Sequence, residues 1–168
     1  MSRHLAYISI GSNMGDPLQN CCNGIQQLCH DGTVEMVAKS PFYRTEPVDY
    51  LEQEWFLNAA LQVRTALSPH DLLSKTQGVE KAVGRKSGGV RFGPRILDLD
   101  IIFYDDLILD TQRLVIPHPR MDKRRFVLQP ICDIDPDVTH PGLGQTVQEL
   151  LNQLVIDEQG MKPCSFDC

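Results

Sequence analysis

The chain has 168 residues, 42% of them hydrophobic, and a formal net charge of −6. This length and apolar content are typical of one globular domain that buries its own core. No stretch approaches the roughly 20 consecutive apolar residues that a membrane span requires, and the first residues lack the pattern of a secretory signal. We therefore expect a soluble, cytoplasmic protein with one domain over residues 1–168, whose tail frays from about residue 158. We take a monomer as the default.

The charges are unevenly distributed along the chain. Residues 81–125 contain ten of the 16 Lys and Arg residues and six of the 22 acidic ones, so this segment carries +4 and the rest carries −10. The acidic total argues against a nucleic-acid surface, whereas one locally basic segment suits a small polyanion. We expect small-molecule ligands, and neither a nucleic-acid nor a membrane partner.

The cysteines raise the questions of disulfides and of zinc. No exporting segment accompanies them, and the core is large enough to fold without cross-links, so we expect reduced thiols. The absence of a C-x-x-C pair disfavours a structural zinc site. The six positions are Cys21, Cys22, Cys29, Cys132, Cys164 and Cys168.

The predicted elements follow the order βαββαβ. Asp16 and Ser68 are N-cap residues, each followed by a proline in the first turn of a helix. This order predicts an α+β, ferredoxin-like sandwich with a mainly antiparallel sheet and helices packed on one face. In chain order we predict a strand at 5–10, a helix at 17–29, strands at 34–43 and 55–65, a helix at 69–83, a strand at 96–104, a short apolar run at 107–109 and a helix at about 146–155.

Two aspartates interrupt the apolar strand at 96–104. Asp98 and Asp100 are two residues apart, so their side chains point to the same face. Aspartate is depleted in strands, and two carboxylates on one face repel unless a cation lies between them. Such oxygen donors suit Mg²⁺, which completes its shell with substrate phosphates. From the spacing alone, a solvated strand face or ion pairs with Arg91 and Arg95 are equal alternatives.

A basic, glycine-spaced loop precedes this strand. Residues 84–93 read GRKSGGVRFG, in which cations alternate with glycines that leave the backbone free to close over a ligand. This pattern is typical of a phosphate-clamping lid, although a solvated charged loop explains it equally well. The segment is not a P-loop, because it lacks Gly-x4-Gly-Lys-[Ser/Thr].

Residues 91–102, RFGPRILDLDII, resemble the signature of the 6-hydroxymethyl-7,8-dihydropterin pyrophosphokinases. The resemblance covers about residues 5 to 150. It extends to four further blocks in the same order along the chain: IGSNMGD at 10–16, FYRTEP at 42–47, FLNAA at 56–60, and IPHPR at 116–120 with RRF at 124–126. Five ordered motifs make chance agreement remote.

The resemblance implies that pyrophosphate is transferred from MgATP to the hydroxymethyl group of 6-hydroxymethyl-7,8-dihydropterin in folate biosynthesis, with release of AMP. In that family two Mg²⁺ ions bridge an aspartate pair and the ATP phosphates. Asp98 and Asp100 are then the metal ligands, and Arg85 and Arg95 join them as catalytic residues. ATP serves as co-substrate.

The resemblance also assigns the two substrate pockets. Phe56 and Asn58 are two residues apart on one strand and share a face, so the amide beside the ring needs a polar partner, which a pterin edge would supply. Without the resemblance, Phe56 and Phe126 fit core positions. The pterin group is Thr45, Val48, Phe56, Asn58 and Phe126. The ATP group is Gln77, Glu80, Arg91, Phe92, Ile101, Arg113, His118 and Arg124.

Some features leave alternatives open. Ser87 and Phe92 stand where some relatives have an arginine and a tryptophan, and Pro119 stands where some have a tyrosine, so the lid is the least defined part. Gln77 and Glu80, three apart on a helix, fit a solvated face equally well. A non-catalytic ATP- or pterin-binding protein of the same fold is the main alternative function. A small RNA-binding domain is disfavoured by the acidic total.

Overall fold

The computed structural model describes residues 2–84, 93–155 and 158–168. The order of the first six major elements confirms the predicted βαββαβ pattern, with β3 as an additional short strand after β2. The strands are β1 His4–Ser12, β2 Val34–Lys39, β3 Tyr43–Thr45, β4 Phe56–Thr65, β5 Asp98–Tyr104, β6 Leu109–Asp110, β7 Val115–Ile116 and β8 Met161–Pro163. The helices are α1 Pro17–Cys29, α2 Pro69–Val83, α3 Arg125–Ile134 and α4 Val147–Asn152.

Local capping sets the ends of the helices. The Asp16 carboxylate accepts from the N–H of Gln19 at the start of α1, and Ser68 accepts from the N–H of Asp71 at the start of α2. Gly84 ends α2 with a φ of +124°, a conformation that residues with a side chain rarely adopt. The predicted bounds of both helices are confirmed because these signals are local.

The large sheet is antiparallel in every pairing, with the order β5-β1-β4-β3-β8. The single strand predicted at 34–43 is divided in two. β2 pairs with the second half of β4 and β3 with the first half. Ser40 lies at the break, where its hydroxyl accepts from the N–H of Ala60 at 2.9 Å. The long strand β4 therefore organises both short strands.

Helices cover both faces of this sheet, so the prediction of one covered face was wrong. α1 and α2 pack with side chains such as Ile8 and Leu99 in one core cluster, and α3 and α4 pack with Tyr7 and Phe103 in a second one. α3 was missed because Pro130 lies inside it, and proline usually marks the end of a helix. The candidate site shares the second face.

The C-terminal segment is paired with the sheet, which corrects the prediction of a frayed tail. β8 pairs with β3, and Cys168 forms a disulfide with Cys22 of α1, so the expectation of reduced thiols is wrong for these two cysteines. Asp167 also forms an ion pair with Lys39. The other four cysteines are free. The segment was misjudged because its partners lie far away in the sequence.

In the part of the chain that the structure describes, no helix combines the length and apolar character needed to cross a bilayer.

A buried carboxylate joins α2 to β5. Glu80 is 4% exposed, and its Oε2 accepts from the backbone N–H of Leu99 at 3.0 Å. Leu99 lies between Asp98 and Asp100 on β5. Glu80 therefore positions the strand that carries both aspartates, which explains why a charged residue occurs on the buried side of α2.

We predict that Glu80→Ala lowers the free energy of unfolding by about 1–3 kcal/mol, because the N–H of Leu99 loses a buried acceptor. Urea denaturation of both proteins measures this difference. Gln77→Ala is the matched control, since Gln77 is exposed on the same helix and its substitution should change the stability by less than about 0.5 kcal/mol. Equal stability of Glu80→Ala and the wild type would contradict this role.

Candidate active site

A cavity of about 400 Å³ opens beside the ends of β1, β4 and β5. It brings together residues that are separated by up to 115 positions in the sequence, from Gly11 to Phe126. Of the residues predicted to form the site, those that line it are Thr45, Val48, Phe56, Asn58, Arg95, Asp98, Asp100, His118, Arg124 and Phe126. The predicted metal ligands and the predicted pterin pocket therefore share one cavity.

The register of three strands explains this proximity. Gly11 of β1 is paired with Asp98 of β5 on one side and with Asn58 of β4 on the other. Neighbours in one row across an antiparallel sheet point to the same face, and adjacent strands are about 4.8 Å apart. The carboxylate and the amide are thus held about two strand spacings apart, on either side of a residue without a side chain.

Gly11 is required by close packing in this row. A Cβ atom at Gly11 would lie 2.5 Å from Nδ2 of Asn58, closer than non-bonded atoms approach. The amide of Asn58 therefore occupies the space that a side chain at Gly11 would take. The sequence analysis recognised the block at 10–16 but assigned no role to Gly11.

Asn58 is held in one orientation. The side chain is 5% exposed. Its Oδ1 accepts from the Thr45 hydroxyl at 2.5 Å, and its Nδ2 donates to the carbonyl of Ile10 at 3.4 Å. Thr45 is itself buried at the end of β3. A buried amide with fixed partners presents a defined edge to a ligand in the cavity.

Asn13 braces two walls of the site and was not predicted. Its side-chain Oδ1 accepts from the backbone N–H of Arg95, and its backbone N–H donates to the carbonyl of Arg95. Its Nδ2 donates to Gln53 and to the carbonyl of Glu54. One buried side chain thus joins the segment before β5 to the loop before β4. The block at 10–16 was the available signal, but only the fold shows these partners.

The cations of the site differ in their surroundings. The guanidinium of Arg95 donates to the carbonyls of Gly93 and Pro94, within its own loop. Arg124 is mostly buried, and its guanidinium carbon lies 5.5 Å from the ring centroid of Phe126. Arg120, which was not predicted, also lines the cavity. Positive charge therefore surrounds the aspartate pair, as a polyanion site requires.

His118 is held in its neutral form. Burial, and then the charges of Arg124 and Arg120, lower the pKa of His118 to about 4, while Asp98 partly opposes this shift. Its backbone N–H donates to the carbonyl of Ile102 at 3.1 Å, which fixes it at the edge of β5. In the ligand-free protein near neutral pH, His118 is therefore uncharged and can form hydrogen bonds.

Four of the predicted ATP residues are not among the described residues that line the cavity. Gln77 is exposed on α2, and Arg113 is exposed in the turn between β6 and β7. Ile101 packs in the first core cluster, because its side chain alternates with those of the aspartates along β5. Glu80 binds β5, as described above. Arg85, Arg91 and Phe92 lie outside the described residues, as do all of residues 85–92 of the predicted lid.

The donor atoms of the site suit Mg²⁺ better than a structural metal that takes all its ligands from the protein. Within residues 2–84, 93–155 and 158–168, no group of three or more His, Cys, Asp and Glu side chains could hold a metal ion. The aspartate pair supplies two hard oxygen ligands beside an open cavity. This is the arrangement that Mg²⁺ accepts when substrate phosphates and water complete its octahedron, whereas structural zinc takes four protein ligands.

We predict that the folded protein loses stability as the pH falls from about 6.5 towards about 4, in part through His118. Between these values the unfolded chain binds a proton on His118 that the folded protein excludes, so acidification favours unfolding. Urea titrations at pH 6.5, 5.5 and 4.5 measure this loss. His118→Gln, which cannot titrate, should lose less stability over the same range. The same slope in both proteins would contradict the assignment.

Comparisons with known proteins place the chain in a family. The sequence model of the 7,8-dihydro-6-hydroxymethylpterin-pyrophosphokinase (HPPK) family matches residues 7–136. The chain is 39% identical over 149 residues to the 2-amino-4-hydroxy-6-hydroxymethyldihydropteridine pyrophosphokinase of Methylorubrum extorquens, covering 89% of this chain and 92% of that protein.

Longer proteins contain a similar unit. The chain is 37% identical over 164 residues to the folic acid synthesis protein fol1 of Schizosaccharomyces pombe, which covers 97% of this chain but only 22% of that protein. The solved structure of Plasmodium falciparum HPPK-DHPS with pteroate is similar to this chain with a TM-score of 0.69 and a sequence identity of 16%. The match covers 90% of this chain and 42% of that one, and it supports the fold. The family match and the pyrophosphokinase of Methylorubrum extorquens show that the chain belongs to the HPPK family, the ATP-dependent pyrophosphokinases of folate synthesis.

Proposed function

We propose that this chain transfers pyrophosphate from MgATP to the hydroxymethyl group of 6-hydroxymethyl-7,8-dihydropterin and releases AMP. One observation carries the proposal: a single cavity contains an aspartate pair on one side of Gly11 and a buried, fixed amide on the other. A phosphate donor and a flat heterocyclic acceptor could therefore lie side by side. Membership of the HPPK family supports the same reaction.

The pterin side of the cavity supplies stacking and edge recognition. Phe56 and Phe126 line it and are only partly buried, so their rings are accessible to a flat ligand. Asn58 offers a fixed donor and acceptor to the ring edge, and Thr45 and Val48 line the same pocket, where their backbone groups would join it. A neutral, polar heterocycle suits this combination.

The opposite side suits the polyphosphate. Asp98 and Asp100 would hold Mg²⁺, two ions in the family's arrangement, and the metal would neutralise charge on the phosphate oxygens and orient them. Arg95, His118 and Arg124 would donate to the phosphates or the ribose. The two carboxylates act here as ligands and not as general acid and base.

The reaction needs little covalent chemistry from the protein. The oxygen of the acceptor hydroxyl forms a bond to the β-phosphorus of ATP and its proton passes to solvent, while the bond between that phosphorus and the bridging α-phosphate oxygen breaks and AMP leaves. Catalysis then depends on holding the two substrates in line and on stabilising charge that develops on the leaving group. Buried, fixed groups such as Asn58 and Asn13 are suited to such positioning because they cannot reorient freely.

Several assignments stay predictions. The residue roles among them follow from the resemblance and the other two from the sequence as a whole, and the arrangement of the described residues adds no support to any of them. They comprise catalysis by Arg85, ATP binding by Gln77, Glu80, Arg91, Phe92, Ile101 and Arg113, the monomeric state, and the cytoplasmic location.

The first test is the product of the reaction. The wild type should release AMP from MgATP only when the hydroxymethyl-dihydropterin is present, and chelation of Mg²⁺ should abolish the release. Release of ADP would contradict the proposed reaction. Chromatographic separation of the nucleotides distinguishes the two.

We predict that Asp98→Asn and Asp100→Asn each reduce AMP release by about a hundredfold or more, because each removes a metal ligand. The melting temperature should stay equal or rise, because one of two neighbouring carboxylates is neutralised. Asp110→Asn, in the exposed β6, is the matched control and should keep full activity. A collapsed melting temperature in both variants would indicate a structural role for the pair.

A further inference from the structure

Asp49 has an unusual backbone conformation in the loop that lines the cavity. This loop, residues 46–55, joins β3 to β4. The φ of Asp49 is +67°, in the left-handed region that residues with a side chain rarely adopt, although Asp and Asn tolerate it better than others. A conformation of this kind persists where the surrounding contacts hold it, and it occurs often at ligand sites.

Those contacts are ion pairs with two arginines. The carboxylate of Asp49 accepts two hydrogen bonds from Nη2 of Arg120, at 2.8 and 2.9 Å. It also lies 3.6 Å from Nη2 of Arg124. Arg124 is only 12% exposed, whereas Arg120 is 43% and Asp49 is 32% exposed. One carboxylate therefore pairs with two guanidinium groups and holds the loop against the segment before α3.

Both arginines stand between two cavities. They line the cavity that contains Asp98 and Asp100, and they also line a second cavity of about 460 Å³ that contains Asp49 and Asp122. The charges of Asp100, Asp49 and Asp98 all act on Arg124. The guanidinium groups can thus pair with anions on either side of them.

A phosphate competes directly with Asp49 for these groups. Guanidinium binds carboxylate and phosphate oxygens with the same forked geometry, and a polyphosphate carries several charges where Asp49 carries one. An ATP phosphate that reaches Arg120 or Arg124 from the main cavity would weaken their pairing with Asp49. The part of the loop around Asp49 would then lose its anchor, while Gln53 and Glu54 stay bound to Asn13.

We propose that Asp49 is a positioning residue that occupies Arg120 and Arg124 until the phosphates of ATP replace it, and that this exchange releases residues 47–51 of the loop, while Asn13 still holds Gln53 and Glu54. The proposal rests on the proposed function, because it takes MgATP as the competing anion. It links the two substrates, since the same loop carries Val48, which lines the pterin side of the cavity. Occupation of the phosphate side thereby changes the wall of the pterin side.

The exchange predicts a specific gain of function. Asp49→Asn keeps the size of the side chain and its tolerance of positive φ but removes the charge that competes with phosphate. We expect Asp49→Asn to bind MgATP about three- to tenfold more tightly than the wild type, as removal of a partly exposed ion pair allows. Isothermal titration with MgATP, in the absence of pterin, measures this.

A matched variant distinguishes the exchange of Asp49 for phosphate at the two arginines from an effect of net charge alone. Asp122→Asn removes the same charge from the same second cavity, but Asp122 is paired with Lys123 at 3.8 Å. If only the net charge mattered, both variants would tighten MgATP binding equally. The exchange predicts wild-type affinity for Asp122→Asn.

Release of residues 47–51 has its own signal. Hydrogen exchange of the backbone amides of residues 48–51, measured by mass spectrometry, should become faster when MgATP is added to the wild type, because this part of the loop loses its anchor. Asp49→Asn should show the faster hydrogen exchange before MgATP is added and a smaller increase afterwards.

Three results would overturn the exchange. Asp49→Asn could bind MgATP no more tightly than the wild type, Asp122→Asn could match the gain of Asp49→Asn, or MgATP could leave the hydrogen-exchange rates of residues 48–51 in the wild type unchanged. A wild type that binds no MgATP overturns the exchange and the proposed function together. A wild type that binds MgATP and forms AMP, with any of the three results, overturns the exchange alone.

Discussion

The site depends on the register between three antiparallel strands. Gly11 of β1 is paired with Asp98 and with Asn58 at once, so the carboxylate and the amide face the same cavity from strands on either side of it. A register shift of one residue in β5 would turn Asp98 and Asp100 towards the first core cluster and Leu99 towards the cavity. The position of both pockets is therefore a property of the sheet and of the missing side chain at Gly11.

Buried polar side chains stabilise this register. Glu80 binds the backbone between the two aspartates, Asn13 joins the segment before β5 to the loop before β4, and Thr45 fixes Asn58. Each would cost free energy if it were buried without a partner, and each has one. These bonds restrict the walls of the cavity to one arrangement, which a reaction controlled by positioning requires. The ion pairs of Asp49, by contrast, are partly exposed and can exchange.

Much of the fold and part of the site could be predicted because their signals are local. Period-two alternation placed Asp98 and Asp100 on one face, and N-cap residues set the ends of α1 and α2. Long-range partners left no local signal. The pairing of β8 with β3, the bonds of Asn13 and the contacts of Asp49 each join residues that are far apart in the sequence. From the sequence, Glu80 was expected on a solvated face, because charged residues are usually exposed and its partner Leu99 is 19 residues away.

The most direct measurement is the anomalous signal of Mn²⁺ in crystals grown with a non-hydrolysable ATP analogue and the pterin substrate. The account predicts peaks between the carboxylates of Asp98 and Asp100 and the phosphate oxygens, with the pterin ring beside Asn58. Peaks elsewhere, with both aspartates bound to arginine side chains in the ligated protein, would contradict the central claim that the pair holds the metal.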